Sequence, residues 1–545
     1  MGIITRINIH NYRSIKETVE VNFPKNTPLI LIGENNSGKS NILRALDLVL
    51  GEYWPNNYEL SDHEYFKRNK ENTPVEIIIS VEGVVHTQNN GTTRNVSAFC
   101  WICPAKEGDK QFFVKFDNGQ PFIYVNAETR EQCLCMLLSA DRRLSYQLSY
   151  SAKNTLLSKL MRQFHDSLVS DPERVTKLKE YFASVKSVFS EVEPFSRFTE
   201  ELNKKVLDLS DNLTYGLKTD FSAYDPSNFF HSLKVLPFQE NTALNFDELG
   251  TGQEQILALS FIYAYAKAFH GENGNIVLLL EEPEAHLHPL AQRWLAQKLV
   301  ELSEGDVQVV VTTHSPSFIN LMKLNGLALI YKQNDATKVK QMNQEQLAEY
   351  CISHGAPIAK VNKDNILSFY TAAATEEILA GFFAKKIILV EGESESFSLP
   401  IYFARLGLNV TKNGIAIIPV HGKGNLCKWW RLFSAYDIPT YIIFDNDSEN
   451  DGDAKRRKDI LQSLRIKETD HEALLLQETI KVGTRCTIFG VDFETSLKAN
   501  FGEEYSKLEE ESGQLGFSNQ SKPLIARYVA ERMSYSDEDP RWQPF

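Results

Sequence analysis

The chain has 545 residues, too many for a single hydrophobic core, and its 42% hydrophobic and 24% charged residues are the balance of an ordinary water-soluble globular protein. A net charge of −13 argues against a globally basic nucleic-acid binder, although local patches and bound cations set the field near a phosphate backbone. Seven cysteines, an odd number, do not make a disulfide framework, and apolar runs such as 276–280 are strand-sized, far short of a membrane span. The opening, Met1-Gly2-Ile3-Ile4-Thr5-Arg6, lacks signal-peptide and myristoylation patterns, so a cytoplasmic protein with no membrane address is expected.

Ile3, Ile7 and Ile9, and then Val19, Val21 and Phe23, alternate with polar residues and predict an opening hairpin or meander. An apolar strand, 29–32, runs into Gly33-Glu34-Asn35-Asn36-Ser37-Gly38-Lys39-Ser40, which matches G-x-x-x-x-G-K-[ST] at every fixed position. A helical pattern follows over 41–50 and stops at Gly51. In that strand–loop–helix context the loop's N–H groups wrap phosphates, Lys39 reaches the β- and γ-phosphates, and Ser40 ligates Mg²⁺, so ATP with Mg²⁺ is the expected cofactor.

Strands are expected over 75–85 and within 112–125. Cys100-x-x-Cys103 and Cys133-x-Cys135 invite comparison with a zinc site, but the second spacing is too short for a usual knuckle, and both pairs lie in apolar, strand-like text and read as buried thiols. From about 155 to 209 apolar residues recur at helical spacing (Leu156, Leu160, Phe164, Leu168) without sustained heptads, which predicts a helical insertion and not a long coiled coil. A long apolar helix is expected through 269, and 276–280 and 307–313 read as buried parallel strands. Glu281 and Glu282 close the first of these, placed to hold the magnesium shell and to polarise the attacking water. His314 closes the second, placed to touch the γ-phosphate.

A hairpin pattern around Asn334-Asp335 and a linking helix over 375–384 lead into strictly alternating strands (387–390, 415–420, 440–444) and helices (396–406, 426–436). Glu391 ends the first of these strands and Glu395 lies a helical turn beyond it. Asp445 and Asp447 end the third, two apart and thus pointing to one side. Carboxylates gathered at strand ends bind cations or take up protons, and two Mg²⁺ or Mn²⁺ ions about 4 Å apart would clamp the oxygens of a phosphodiester. Lys455-Arg456-Arg457-Lys458 is a candidate grip on DNA phosphates. The expected organisation is α/β throughout, with an ATPase domain at 1–150 and 236–370. A helical insertion at 151–235, a candidate dimerisation element, interrupts it, and a metal-binding domain follows at 371–545.

Leu249-Gly250-Thr251-Gly252-Gln253 resembles the signature loop of ABC-type ATPases. With Glu284-Ala285-His286-Leu287-His288-Pro289 and the opening 8–14, this half resembles the ATPase heads of RecF and Rad50 relatives, except that Glu281 stands where an Asp is usual. In such heads the signature loop completes the nucleotide site of a second copy. The resemblance therefore implies a homodimer or higher even oligomer, with Gly250, Gly252 and Gln253 at the nucleotide. The segments 390–395 and 445–447 resemble the Toprim domain of topoisomerases, primases and certain nucleases.

An ABC-type head with a helical insertion, followed by a C-terminal Toprim domain, is similar to the OLD ("overcoming lysogenization defect") nucleases over essentially the whole chain. That resemblance implies a metal-dependent DNA nuclease, often directed against bacteriophages. Members of that family work alone, beside a helicase-like partner, or as the effector of a reverse-transcriptase system. It also implies a later acidic metal ligand and a lysine near the C-terminal end, best matched by Glu494 and Lys522. The alternative is an ATPase switch of DNA repair or sensing in which the Toprim part is auxiliary.

Overall fold

The computed structural model describes residues 2–138, 168, 170–190 and 275–542, apart from 52, 70–72, 89–90, 105–109, 306, 448–453, 476–478, 518–520 and 537–538, together with scattered positions between 193 and 260. The chain divides into two compact units, Met1–Leu137 with Asn273–Phe545, and Leu138–Glu272. In the smaller unit, α2 (Pro172–Ser190) lies within the expected helical insertion, and β9 (Phe238–Gln239) pairs with β10 (Thr242–Ala243). Most of the insertion, and the expected apolar helix through 269, fall outside the described residues.

The N-terminal part of the larger unit stacks two sheets. One is antiparallel, in the order β2 (Val19–Asn22), β1 (Ile3–His10), β4 (Val75–Thr87), β5 (Thr93–Cys103), β6 (Gln111–Phe116), β7 (Pro121–Phe122). The period-2 alternation read in β1 and β2 is the burial pattern observed, with Ile7, Ile9, Val19 and Val21 inward. The other has the order β14 (Ala336–Gln341), β13 (Leu327–Gln333), β3 (Leu29–Ile32), β12 (Gln308–Thr312), β11 (Asn275–Glu281), β8 (Cys133–Leu138). Strands β13, β3, β12 and β11 are mutually parallel, and their apolar runs are covered on both faces.

Between the sheets lies α1 (Lys39–Leu50), whose Ile42, Leu43, Leu46, Val49 and Leu50 are fully buried at three- and four-residue spacing. Each contributes about 1.5–3 kcal/mol relative to exposure. Gln308 ties the layers together, since its amide accepts from the Ile4 N–H at 2.6 Å and donates to the Ile4 carbonyl at 2.7 Å. All seven cysteines are buried, and none is in a disulfide.

Helix α3 (Pro289–Glu304) joins β11 to β12. After the β13–β14 hairpin, which turns at Asn334 and Asp335 with φ of 52° and 65°, come α4 (Gln344–Ser353), α5 (Ile366–Ala373) and α6 (Glu376–Ala380). Thr375 caps α6 by accepting from the Ile378 N–H. The C-terminal sheet has the order β16 (Ile415–Pro419), β15 (Lys386–Val390), β17 (Thr440–Asp445), β19 (Cys486–Phe489), β18 (Lys481–Val482), parallel except for β18.

Helices α7 (Glu393–Arg405), α8 (Lys423–Ala435), α9 (Ala454–Ser463), α10 (Glu468–Leu475), α11 (Phe493–Phe501), α12 (Glu503–Gln514) and α13 (Lys522–Arg532) complete this part. Strand β15 has β16 on one side and β17 on the other, so the crossovers diverge at its C-terminal end. That is the place where parallel sheets open a crevice for ligands.

Candidate functional site

The phosphate loop sits at the C-terminal end of β3, and backbone geometry dictates its glycines. Gly33 has φ 137°, and a Cβ there would lie 2.0 Å from the Ile330 carbonyl oxygen. Gly38 has φ 110°, and a Cβ there would lie 2.3 Å from Thr337 Oγ1. The second contact is a brace. Thr337, on β14, donates to the Ser37 carbonyl at 2.7 Å and shares a 2.7 Å hydrogen bond with Ser14, to which Asn41 also donates.

Lys39 is folded back into the loop, donating to the carbonyls of Gly33 and Glu34 at 2.9 Å each. Burial pushes its ammonium down to about 8, against the pull of Glu282, Glu284 and Glu34, so an anion above it would relieve a real desolvation cost. Asn35 and Asn36 are exposed, Ser40 is half-buried at the start of α1, and the buried Ser37 hydroxyl has no partner among the described residues.

The parallel register brings the other predicted residues alongside. Glu281 ends β11 opposite Thr312 of β12. Glu282 is left-handed at φ 47°, held by its N–H to the Thr312 carbonyl at 3.0 Å, and its Oε1 lies 3.5 Å from His314 Nε2. Burial and the Lys39 charge hold the His314 imidazole below its usual range, with Glu282 opposing.

The sequence names Glu284 only as part of the 284–289 loop and assigns it no role. Its Oε1 accepts from Thr313 Oγ1 at 2.7 Å and from the His314 N–H at 2.6 Å, and burial raises its carboxyl. It fixes the turn that carries His314. His288 caps α3 through Nδ1, a structural role for half of the His286-x-His288 pair. Gly250 and Gln253 are exposed in the smaller unit and hydrogen-bonded to each other, while Thr251 and Gly252 fall outside the described residues.

In the C-terminal sheet, β15 and β17 deliver Glu391 and Asp445 to the same edge, where Glu391 Oε1 accepts from the Asp445 N–H at 2.7 Å. The Asn446 N–H bonds the Phe489 carbonyl, and the Asp447 N–H bonds Val491, pinning Asp447 at a left-handed φ of 45°. Glu395 is buried in the first turn of α7, where the helix dipole favours a carboxylate. Asp492 caps α11 and so sets Glu494 in its first turn, near enough to act electrostatically on both Glu395 and Asp445.

Lys522 is the exposed first residue of α13. This helix packs along α7, and Arg405 near the end of α7 donates to the Glu531 carbonyl near the end of α13. The two helices therefore run parallel, and Lys522 starts at the same end of the domain as Glu395. The basic run divides. Arg457 is buried and donates to the main-chain carbonyls of Asn446 and Asp447, while Lys455, Arg456 and Lys458 are exposed. Arg457 thus holds the backbone at Asn446 and Asp447 and is withdrawn from the candidate DNA-contacting set.

Electrostatics show what the cluster lacks. Burial pushes Glu391 up to about 7, with Lys423 and the Asp445 N–H opposing. Burial and neighbouring carboxylates push Glu395 up to about 8 and Asp445 well above the usual range. Asp445 Oδ1 is buried without a partner among the described residues. An all-oxygen donor set this short of positive charge fits hard divalent cations. Among the described residues, no three acidic or histidine side chains already converge at a metal-holding spacing. Lys423, at the start of α8, forms ion pairs with Asp447 and, at 3.5 Å, with Glu391.

A P-loop ATPase head continuous with an α/β domain bearing an acidic cluster defines a class, and comparison with known families gives it a name. The AAA ATPase domain family matches residues 3–119 and 80–319, together more than half of the chain, and the TOPRIM domain of overcoming-lysogenization-defect-like proteins matches 382–447. The chain belongs to the AAA ATPase domain family and carries a TOPRIM domain of the OLD-like kind. It is 25% identical over 468 residues to the OLD nuclease of Thermus scotoductus, covering 82% of each chain. It is 22% identical over 543 residues to the Old nuclease of Escherichia phage P2, covering 93% of this chain and 87% of that one. It is also 22% identical over 410 residues to the endonuclease GajA of Bacillus cereus, covering 72% and 66%.

Proposed function

We propose that this protein is an ATP-controlled, divalent-metal-dependent DNA endonuclease of bacteriophage defence. The observation that carries the reading is the gathering of Glu391, Glu395, Asp445, Asp447 and Glu494 at one sheet edge, with charges that the protein leaves under-compensated. Two Mg²⁺ or Mn²⁺ ions held there would supply an activated water and neutralise the leaving oxygen of a phosphodiester. Glu391, Asp445 and Asp447 are the core ligands, with Glu395 and Glu494 completing the set. Lys522 approaches from the start of α13 to stabilise charge developing on the scissile phosphate. In the ATP site, Lys39 and Ser40 hold the phosphates and Mg²⁺, Glu281 supports the metal shell, Glu282 polarises water and His314 senses the γ-phosphate.

ATP bound between two copies, with Gly250, Gly252 and Gln253 acting across the interface, is the proposed control element. A short series of contacts supports a route from there to the cluster. Thr337 braces the P-loop, Lys340 on the same strand pairs with Asp437 at 2.9 Å, and Asp437 lies just beyond the far end of α8, whose first residue touches Asp447. Nucleotide shifts the cluster only if it binds the two arrangements with different affinity. We place the enzyme in the cytoplasm, where ATP and DNA are available. Among the described residues no helix is long and apolar enough to cross a membrane.

The test is incubation of closed-circular plasmid with the protein. Nicked and linear products are expected in Mg²⁺ or Mn²⁺ and none in EDTA. A protein that hydrolysed ATP yet left DNA intact would instead be an ATPase switch with an auxiliary Toprim domain.

A further inference from the structure

Lys423 breaks two local rules at once. It is the first residue of α8, where the helix dipole presents its positive end and an ammonium is disfavoured. It is also buried, at 4% exposure, where a lysine persists only with a charged partner. Its ion pairs with Asp447 and Glu391 offset both costs. The turn that aims it there is specific: His421 has φ 56°, Gly422 has φ 116°, and the Gly422 N–H donates to the Glu391 carbonyl at 2.8 Å. The nearby Arg457 commits its guanidinium to main-chain carbonyls instead.

We propose that Lys423 is a resident counter-cation of the carboxylate cluster, which a divalent cation must displace from Asp447 to load the site. The proposal rests on the reading of that cluster as a metal site. With no metal bound, one ammonium is paired among five carboxylates and lets the sheet edge stay folded. A divalent ion on Asp447 repels that ammonium, and the flexible four-carbon stem lets it swing aside without moving α8. Metal loading is then a competition, so the ion pair sets the concentration of Mg²⁺ or Mn²⁺ at which the site fills.

The experiment measures Mn²⁺ binding by electron paramagnetic resonance on nucleotide-free full-length protein, with Asp447→Ala identifying the signal from this site. Lys423→Met should bind Mn²⁺ about tenfold more tightly than the parent. Its metal-free melting temperature should drop by several degrees and recover when Mn²⁺ is added. Lys423→Arg, which keeps the cation, should bind no more tightly than the parent. As a check independent of folding in the variants, labelling of Lys423 in the parent by an amine-reactive reagent should rise severalfold on Mn²⁺ addition. Equal or weaker Mn²⁺ binding by a folded Lys423→Met, or labelling unchanged by Mn²⁺, overturns the counter-cation role and leaves the metal site standing. Absence of any Asp447-dependent Mn²⁺ signal in the parent overturns both.

Discussion

Asp447→Ala should lower DNA cleavage about a thousandfold or more, while the protein still folds and binds ATP. Losing a ligand to a catalytic metal removes roughly 4 kcal/mol of transition-state stabilisation, and each 1.4 kcal/mol is a factor of ten in rate. Folding should survive because Asp447 is held by its backbone. Its N–H bonds Val491 and its carbonyl accepts from Arg457 at 2.8 Å, and neither contact uses the carboxylate. The variant does strand Lys423 without its nearest partner, so some loss of thermal stability should accompany the loss of cleavage. Cleavage rate and melting curve, measured on one preparation, separate these effects. Undiminished nicking at saturating metal would remove Asp447 from the site.

The second large effect belongs to the ATP site. Lys39→Ala should weaken ATP binding by about two orders of magnitude, since a charge-assisted hydrogen bond to a phosphate is worth roughly 1.5–3 kcal/mol. In the same variant, ATP should no longer change the rate of DNA cleavage in either direction. Cleavage in metal alone should persist, because the carboxylate cluster does not include Lys39. Calorimetric titration with ATP, paired with plasmid cleavage at fixed Mn²⁺ with and without ATP, checks both halves. A variant that lost ATP binding but kept a nucleotide response would place control outside the P-loop.

Much of this was legible where the chemistry is local. The P-loop announces itself because a phosphate cradle needs glycines at fixed spacing, and Gly33 and Gly38 occupy positions where any side chain would collide with β13 or β14. The parallel strands β3, β11, β12, β15 and β17 were legible for the same local reason, continuous apolar runs bounded by turn residues, and β1 and β2 from their alternation. Glu391, Asp445 and Asp447 were readable because each follows such a run.

Lys423 and Glu284 were not, because their meaning is made at a distance. Lys423 matters only once the β16–α8 turn has been stitched to the end of β15 and its ammonium meets Asp447. In one dimension it is an ordinary lysine after a glycine. Arg457 misleads in the opposite direction, since a run of four basic residues reads as a solvated or DNA-facing surface until one of them is seen bonding the main chain of Asn446 and Asp447. Helix α4 did carry a local signal, the capping box of Asn343 and Gln346, in a stretch with no catalytic residue to draw the eye.

The carboxylates at the ends of β15 and β17 are proposed to hold the metal that cuts DNA. Anomalous scattering from a crystal soaked in Mn²⁺ tests it most directly. Manganese peaks are expected among Glu391, Asp445 and Asp447, within reach of Glu395 and Glu494, with the Lys423 ammonium turned away from Asp447. A crystal that bound Mn²⁺ only beside Ser40, with the Lys423–Asp447 ion pair intact at saturating metal, would contradict it.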